Sequence, residues 1–137
     1  MDSFVVTIMD LLSRFGVKVG HGKEPGVIDV EGVRVKVRSA SQYMAVVKVE
    51  AKSGKVYLYD YPRLVFNLGV KVRPQPDFWA LVEQGGNEHI LVIPHRALGG
   101  RRQIYLQGDA IERGHWTLNY DRRWDRLLKA VLARRTK

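Results

Sequence analysis

Apolar residues at the start of the chain recur at helical spacing. They fall three or four positions apart and so line one face of a helix: Phe4, Val5, Ile8, Leu11, Leu12 and Phe15. Asp2 or Ser3 can cap this helix, and Gly16 can end it. The pattern therefore predicts an amphipathic N-terminal helix whose apolar face packs on a core.

The pattern then changes from helical spacing to strict alternation. Residues 26–30 and 33–38 read as two strands that are joined by a turn at Glu31-Gly32. In the second strand the valines share one face and the cations share the other: Val33, Val35 and Val37 against Arg34, Lys36 and Arg38. Three neighbouring cations repel each other. The strand is therefore either a solvated edge or a basic floor that faces a phosphate backbone.

Alternating and continuous apolar runs predict more strands in the middle of the chain. Tyr43–Ala51 and Lys55–Tyr61 form a hairpin around Ser53-Gly54, and a short strand at Leu64–Leu68 follows. Tyr57, Tyr59 and Tyr61 share one face of the hairpin, where aromatic ladders usually pack on neighbouring strands. Two nearly continuous apolar runs are typical of strands in the middle of a covered sheet: Phe78–Val82 and Ile90–Ile93.

The C-terminal part combines a basic loop with a final helix. His95–Leu98 fits one helical turn, with His95 as a surface or capping residue, and Gln103–Gln107 fits a strand. After Asn119 or Asp121, apolar residues form a helical stripe: Tyr120, Trp124, Leu127, Leu128, Val131 and Leu132. Arg122 and Arg123 fall in the first turn of this helix, where its dipole disfavours cations. Their position indicates an anionic partner.

These elements predict one domain over residues 1–137, with a basic tail at 133–137. The expected class is α/β (α+β), with a mixed central sheet between an N-terminal and a C-terminal helix. A chain of this length buries roughly two-thirds of its unfolded surface on folding.

The charge distribution points to a polyanionic partner. The net charge is +9, and residues 96–137 carry 11 basic side chains against 4 acidic ones. Arginine outnumbers lysine, 14 to 9, and guanidinium groups bind phosphates with paired hydrogen bonds. Nucleic acid, and DNA in the first place, is therefore the expected partner. The chain has no cysteine, which excludes disulfides and favours the cytoplasm, and no apolar run of membrane-spanning length.

One segment resembles the active-site hairpin of the PD-(D/E)XK nucleases, the restriction-endonuclease-like superfamily. Val30-Glu31-Gly32-Val33-Arg34-Val35-Lys36-Val37-Arg38-Ser39-Ala40 is similar to a strand with an acid-x-lysine motif before a small pair. Residues 76–94 resemble the strand pair that follows this motif, and Tyr120–Trp124 the terminal aromatic segment. The resemblance implies a nuclease-like fold, DNA as the partner and a possible homodimer.

The motif departs from the superfamily at its charged positions. Aligning Ser39-Ala40 puts Lys36 at the metal-binding acid, Arg38 at the lysine and Val27 at the upstream aspartate. A lysine would repel Mg²⁺, because this ion needs oxygen ligands. A shift of two residues keeps Lys36 as the lysine but leaves Arg34 as the acid. Carboxylates would then come from elsewhere: Glu24, Asp29 and Glu31.

Three hypotheses follow. The first is a nuclease-like domain without a metal site or cofactor that binds nucleic acid through its basic residues: Arg34, Lys36, Arg38, Arg101, Arg102, Arg122 and Arg123. The second is an active Mg²⁺-dependent endonuclease with Asp29 and Lys36 as catalytic residues. The third is a protein–protein interaction module whose basic face is solvated.

Overall fold

A computed structural model describes residues 3–41, 43–68, 75–84, 90–107 and 116–135. The two α-helices lie near the ends of the chain: α1 at Ser3–Ser13 and α2 at Trp124–Arg135. The eight strands are β1 Val19–His21, β2 Val27–Val30, β3 Val33–Ser41, β4 Tyr43–Glu50, β5 Val56–Asn67, β6 Phe78–Gln84, β7 Ile90–Pro94 and β8 Gln103–Gln107. Short 3₁₀ helices occupy His95–Leu98 and Trp116–Tyr120.

The strands form two sheets. The larger one has five strands in the order β1-β2-β3-β6-β7, and the smaller one has three in the order β4-β5-β8. In the larger sheet β3 and β6 are parallel, while the remaining neighbours are antiparallel. The predicted α+β class, with a mixed central sheet and a helix at each end of the chain, is therefore confirmed.

Two hydrophobic cores lie on opposite faces of the five-stranded sheet. The helix-side core joins α1 and α2 to one face and includes Ile8, Leu12, Val35, Ala80 and Leu127. The sheet-side core lies between the two sheets and includes Phe66, Trp79, Leu81, Ile93 and Ile104. Strand β6 supplies alternate residues to both cores, as its continuous apolar run predicts. The molecule thus has three layers: helices, large sheet and small sheet.

Strand β3 lies in the interior of the large sheet. It pairs with β2 on one side and β6 on the other, so the interpretation as a solvated edge strand is wrong. The alternation of its side chains is confirmed, because the valines pack in the helix-side core. Arg34, Lys36 and Arg38 consequently face away from the helices.

The turn between β2 and β3 has the predicted position and an unusual backbone. Glu31 and Gly32 both have positive φ, at 51° and 93°, as tight hairpin turns require. The Asp29 carboxylate accepts a hydrogen bond from the Gly32 N–H at 2.9 Å. An added Cβ at Gly32 would lie 2.8 Å from the Arg134 side chain. The turn therefore packs closely against the end of α2.

Several predicted strands and contacts need correction. The segment at Leu64–Leu68 continues β5 as one long strand. Strand β7 lies at the edge of the five-stranded sheet and not in its middle as predicted, although Leu91 forms a β-bridge with Asp121. Tyr57, expected to pack on neighbouring strands, is 44% exposed. The side chains of Tyr59 and Tyr61 lie outside the described residues.

The C-terminal helix begins later than its stripe predicts. It starts at Trp124, so Arg122 and Arg123 precede its first turn instead of lying within it. Arg122 instead has a left-handed φ of 53°, and its N–H donates to the Ile90 carbonyl at 2.7 Å. None of the described helices is both long and apolar enough to cross a bilayer.

Candidate nucleic-acid interface

Lys36 lies at the centre of the candidate interface and is almost buried, with 8% of its surface exposed. Its ammonium group donates a hydrogen bond to the Pro25 carbonyl at 2.6 Å. Burial lowers the pKa of Lys36, and the nearby Arg38 lowers it further while Glu24 acts in the opposite direction. Burying an ammonium group beside another cation costs free energy of folding unless an anion compensates the charge.

The loop between β1 and β2 folds over Lys36. Gly26 has a φ of 76°, and its carbonyl accepts a hydrogen bond from the Val37 N–H at 2.8 Å. A Cβ at Gly26 would lie 3.3 Å from the Lys36 nitrogen. Glycine therefore allows the loop to approach β3 closely and to cover the lysine.

A pocket of about 660 Å³ opens beside Lys36, and we name it the Lys36 pocket. Its charged and titratable lining residues are His21, Lys23, Glu24, Lys36 and Arg38. The Arg38 Nε is buried and has no hydrogen-bond partner in the described part of the chain. Among the described lining residues, three basic side chains face one carboxylate, and together with the unsatisfied buried donor they make the pocket suited to an anion.

Two of the three carboxylates expected to bind a metal have structural partners, while Glu24 lines the Lys36 pocket. Glu31 accepts two hydrogen bonds from Arg135, at 2.5 and 2.7 Å, and a third from the Lys18 N–H. The Arg135 bonds, followed by the Lys18 bond, lower the pKa of Glu31 to about 2. Asp29 holds the turn through Gly32. Both acids therefore stabilise the hairpin and its contact with α2.

The described residues do not fit a Mg²⁺ site. Across the described ranges, no three His, Cys, Asp or Glu side chains converge as metal ligands would. Asp29 and Lys36 share a face of the hairpin, but Asp29 pairs with Arg34 and Lys36 pairs with Val27. They are diagonal neighbours, which places their β-carbons several ångströms apart.

The other predicted arginines lie outside the Lys36 pocket. Arg34 donates from its guanidinium to the Gln75 carbonyl at 3.0 Å, and Arg101 donates to the Leu98 carbonyl at 2.8 Å. Arg102 and Arg122 are exposed. Arg123 forms an exposed ion pair with Asp125 at 3.0 Å, which weakens the argument that it needs an anionic partner.

Two features of this region were missed from the sequence. Glu83 is buried on β6, opposite Ala40 of β3. In the sequence, the only indication of its burial is its position directly after the apolar run Phe78–Val82. The loop residues His21 and Lys23 join the Lys36 pocket, although nothing in their spacing relates them to β3. Tertiary folding brings His21 and Lys23 next to β3.

Comparison with solved structures finds the same architecture in a bacterial homing endonuclease, I-Ssp6803I. The TM-score is 0.58, and the match covers 95% of this chain and 88% of that chain. This chain therefore shares the fold of that homing endonuclease. Sequence identity is 21%, so the likeness concerns the nuclease-like fold and not particular residues. The PD-(D/E)XK assignment stays a prediction.

Two further comparisons add no relative. No family model matches the sequence. No curated protein matches it either.

Proposed function

We propose that this protein binds duplex DNA through the Lys36 pocket and the adjoining arginines, and that it has no catalytic metal site. Lys36 and Arg38 would contact the phosphate backbone. Arg34 would extend this contact along β3, with Arg101, Arg102, Arg122 and Arg123 as outlying contacts. The phosphates of the DNA would balance the positive charge of Lys36 and Arg38.

The observation that carries this proposal is the buried Lys36 beside Arg38 within a nuclease-like fold. Only one of the three hydrogens on the Lys36 ammonium is needed for Pro25. The other two would bind phosphate oxygens, and the buried Nε–H of Arg38 has no partner in the described part of the chain. Hydrogen bonds from cations to phosphate are short and strong, which supports an anionic ligand at this position.

A pair of double variants tests this proposal by fluorescence anisotropy with a labelled duplex. Lys36→Gln/Arg38→Gln removes two charges but keeps polar side chains in the pocket. We expect the log–log dependence of affinity on salt to become shallower by about 1.8, since each phosphate contact on duplex DNA contributes about 0.9.

The control is Lys52→Gln/Lys55→Gln, which removes the same charge from the exposed hairpin of β4 and β5. It should keep the wild-type slope. Far-UV circular dichroism checks that each variant is folded. If Lys36→Gln/Arg38→Gln misfolds, Arg38→Gln alone should lower the slope by about 0.9. Equal slopes for the pocket and control variants would contradict the proposal.

A second candidate function is Mg²⁺-dependent cleavage of DNA with Asp29 and Lys36 as catalytic residues. One observation favours it: burial lowers the pKa of Lys36, as in lysines that act in proton transfer. Glu24 and Glu31 would complete a metal site only after Glu31 leaves Arg135. Incubation of plasmid with the protein and Mg²⁺ or Mn²⁺ tests this function, and cleavage that disappears in Asp29→Ala would establish it over the first.

A further inference from the structure

A second basic site lies on the helix side of the large sheet. It is an open groove of about 1110 Å³ between α2, the start of β6 and the 3₁₀ helix after β7. None of its described lining residues also lines the Lys36 pocket. Val33 and Phe78 form part of its floor and also belong to the helix-side core. Arg34 of β3 touches the rim of the groove, through Gln75 and Asp77, whereas Lys36 and Arg38 lie in the Lys36 pocket.

Among the described residues, four cations and one carboxylate line this groove: Arg96, Arg126, Lys129 and Arg134 against Asp77. Asp77 already accepts a hydrogen bond from the Arg34 N–H at 2.9 Å. In the described part of the chain no carboxylate forms an ion pair with any of the four cations. Four unpaired cations around one groove repel each other, and a polyanion would relieve that repulsion.

Aromatic side chains stand among these cations. The Arg126 guanidinium lies 5.0 Å from the centroid of the half-buried Tyr120 ring, a cation–π contact that restricts the arginine. The Trp79 indole N–H donates to Nδ1 of His95 at 3.0 Å. Nδ1 is thus the acceptor, and only Nε2 of His95 can donate to a ligand in the groove. His95 is therefore a half-buried, oriented residue and not the surface or capping residue expected.

The size of the groove indicates an extended ligand. Sites for small molecules usually have volumes of about 300–1,000 Å³, so this open groove exceeds what a single phosphate needs. A cationic groove with aromatic rings is the arrangement that follows the backbone of an unpaired nucleic-acid strand and stacks its bases. We propose that this groove binds single-stranded nucleic acid, as a site separate from the duplex site on β3.

Binding of a fluorescein-labelled eight-residue thymidine oligonucleotide tests the groove. Arg96→Ala/Lys129→Ala removes two exposed cations. We expect the affinity at low salt to fall about a hundredfold, because the variant loses two charged contacts to phosphate and each contributes about a factor of ten. The salt slope should fall by about 1.4, since each contact on a single strand contributes about 0.7.

Lys52→Ala/Lys55→Ala is the control, since it removes the same charge from a surface outside the groove. It should bind the oligonucleotide like the wild type. Equal losses in the groove and control variants would overturn the inference, because net charge alone would then explain binding. Circular dichroism of each variant verifies folding.

The duplex and single-strand assays separate this inference from the proposed function. Lys36→Gln/Arg38→Gln should keep single-strand binding, and Arg96→Ala/Lys129→Ala should keep duplex binding. A groove variant that binds the oligonucleotide normally overturns the groove alone. A Lys36 pocket variant that binds duplex normally overturns the duplex site alone.

Discussion

Two acidic residues that the sequence suggested as metal-binding or catalytic groups instead hold the fold together. Glu31 was a candidate metal ligand, yet it joins the β2–β3 turn to the last turn of α2 through Arg135. Asp29 was a candidate catalytic acid, yet it satisfies the Gly32 N–H. Carboxylates next to a tight turn readily accept such bonds, and the sequence does not reveal which partner folding will bring.

The ion pair of Glu31 predicts a specific dependence of stability on pH. Its pKa falls from 4.5 to about 2 on folding, so the pair stabilises the fold above pH 4.5 and loses this effect as the pH falls towards 2. We expect wild type to have a higher urea midpoint than Glu31→Gln at pH 7, with the gap narrowing below pH 4.5.

Urea denaturation of both proteins between pH 7 and pH 3 measures this gap. Glu50→Gln is the control, since it removes the same charge from the exposed end of β4. A gap between wild type and Glu31→Gln that stays constant with pH would show that the ion pair does not contribute to stability.

Elements with a strong hydrophobic period were predicted best. The helical stripe of α2 identified Trp124, Leu127 and Val131, all of which are buried. The same stripe included Leu132, which is 55% exposed. Spacing defines a face of a helix, but the width of the face that is covered depends on what packs against it.

Leu127 and Leu132 provide a matched pair on α2. Leu127 is 0% exposed in the helix-side core, so we expect Leu127→Ala to lower the free energy of unfolding by about 2–5 kcal/mol. Leu132→Ala should lower it by about 0.5 kcal/mol or less. Urea denaturation of both variants checks this, and similar losses would mean that α2 does not pack as described.

At the scale of the whole molecule, β6 connects the two cores. Phe78, Ala80 and Val82 enter the helix-side core, and Trp79 and Leu81 enter the sheet-side core. Neither core can lose its packing without exposing this strand. We therefore expect both cores to unfold in one cooperative transition, consistent with the single domain proposed for residues 1–137.

Two tryptophans report on the two cores separately. Trp79 lies in the sheet-side core and Trp124 in the helix-side core. Trp116→Phe/Trp124→Phe keeps Trp79 as its single tryptophan, and Trp116→Phe/Trp79→Phe keeps Trp124. Within each variant, the midpoint of fluorescence in urea should coincide with that of far-UV circular dichroism. Midpoints that separate would indicate that the cores unfold independently.

The sequence by itself determined most of the helices and strands, the α+β class and the excess of positive charge. These follow from the periods of apolar residues and from counting side chains, and both are local properties of the chain. It also placed the cations of β3 on one face, because alternation in a strand does not depend on its neighbours.

Only the tertiary structure decided which charges meet. The loop at residues 22–26 covers Lys36, and Glu31 pairs with an arginine 104 residues away. The groove is lined by residues 75–78 before and at the start of β6, by residues 94–97 at the end of β7, and by α2. Such contacts depend on how separate elements pack. Sequence spacing contains no information on distances across a fold, so the basic sites became visible only once the layers were in place.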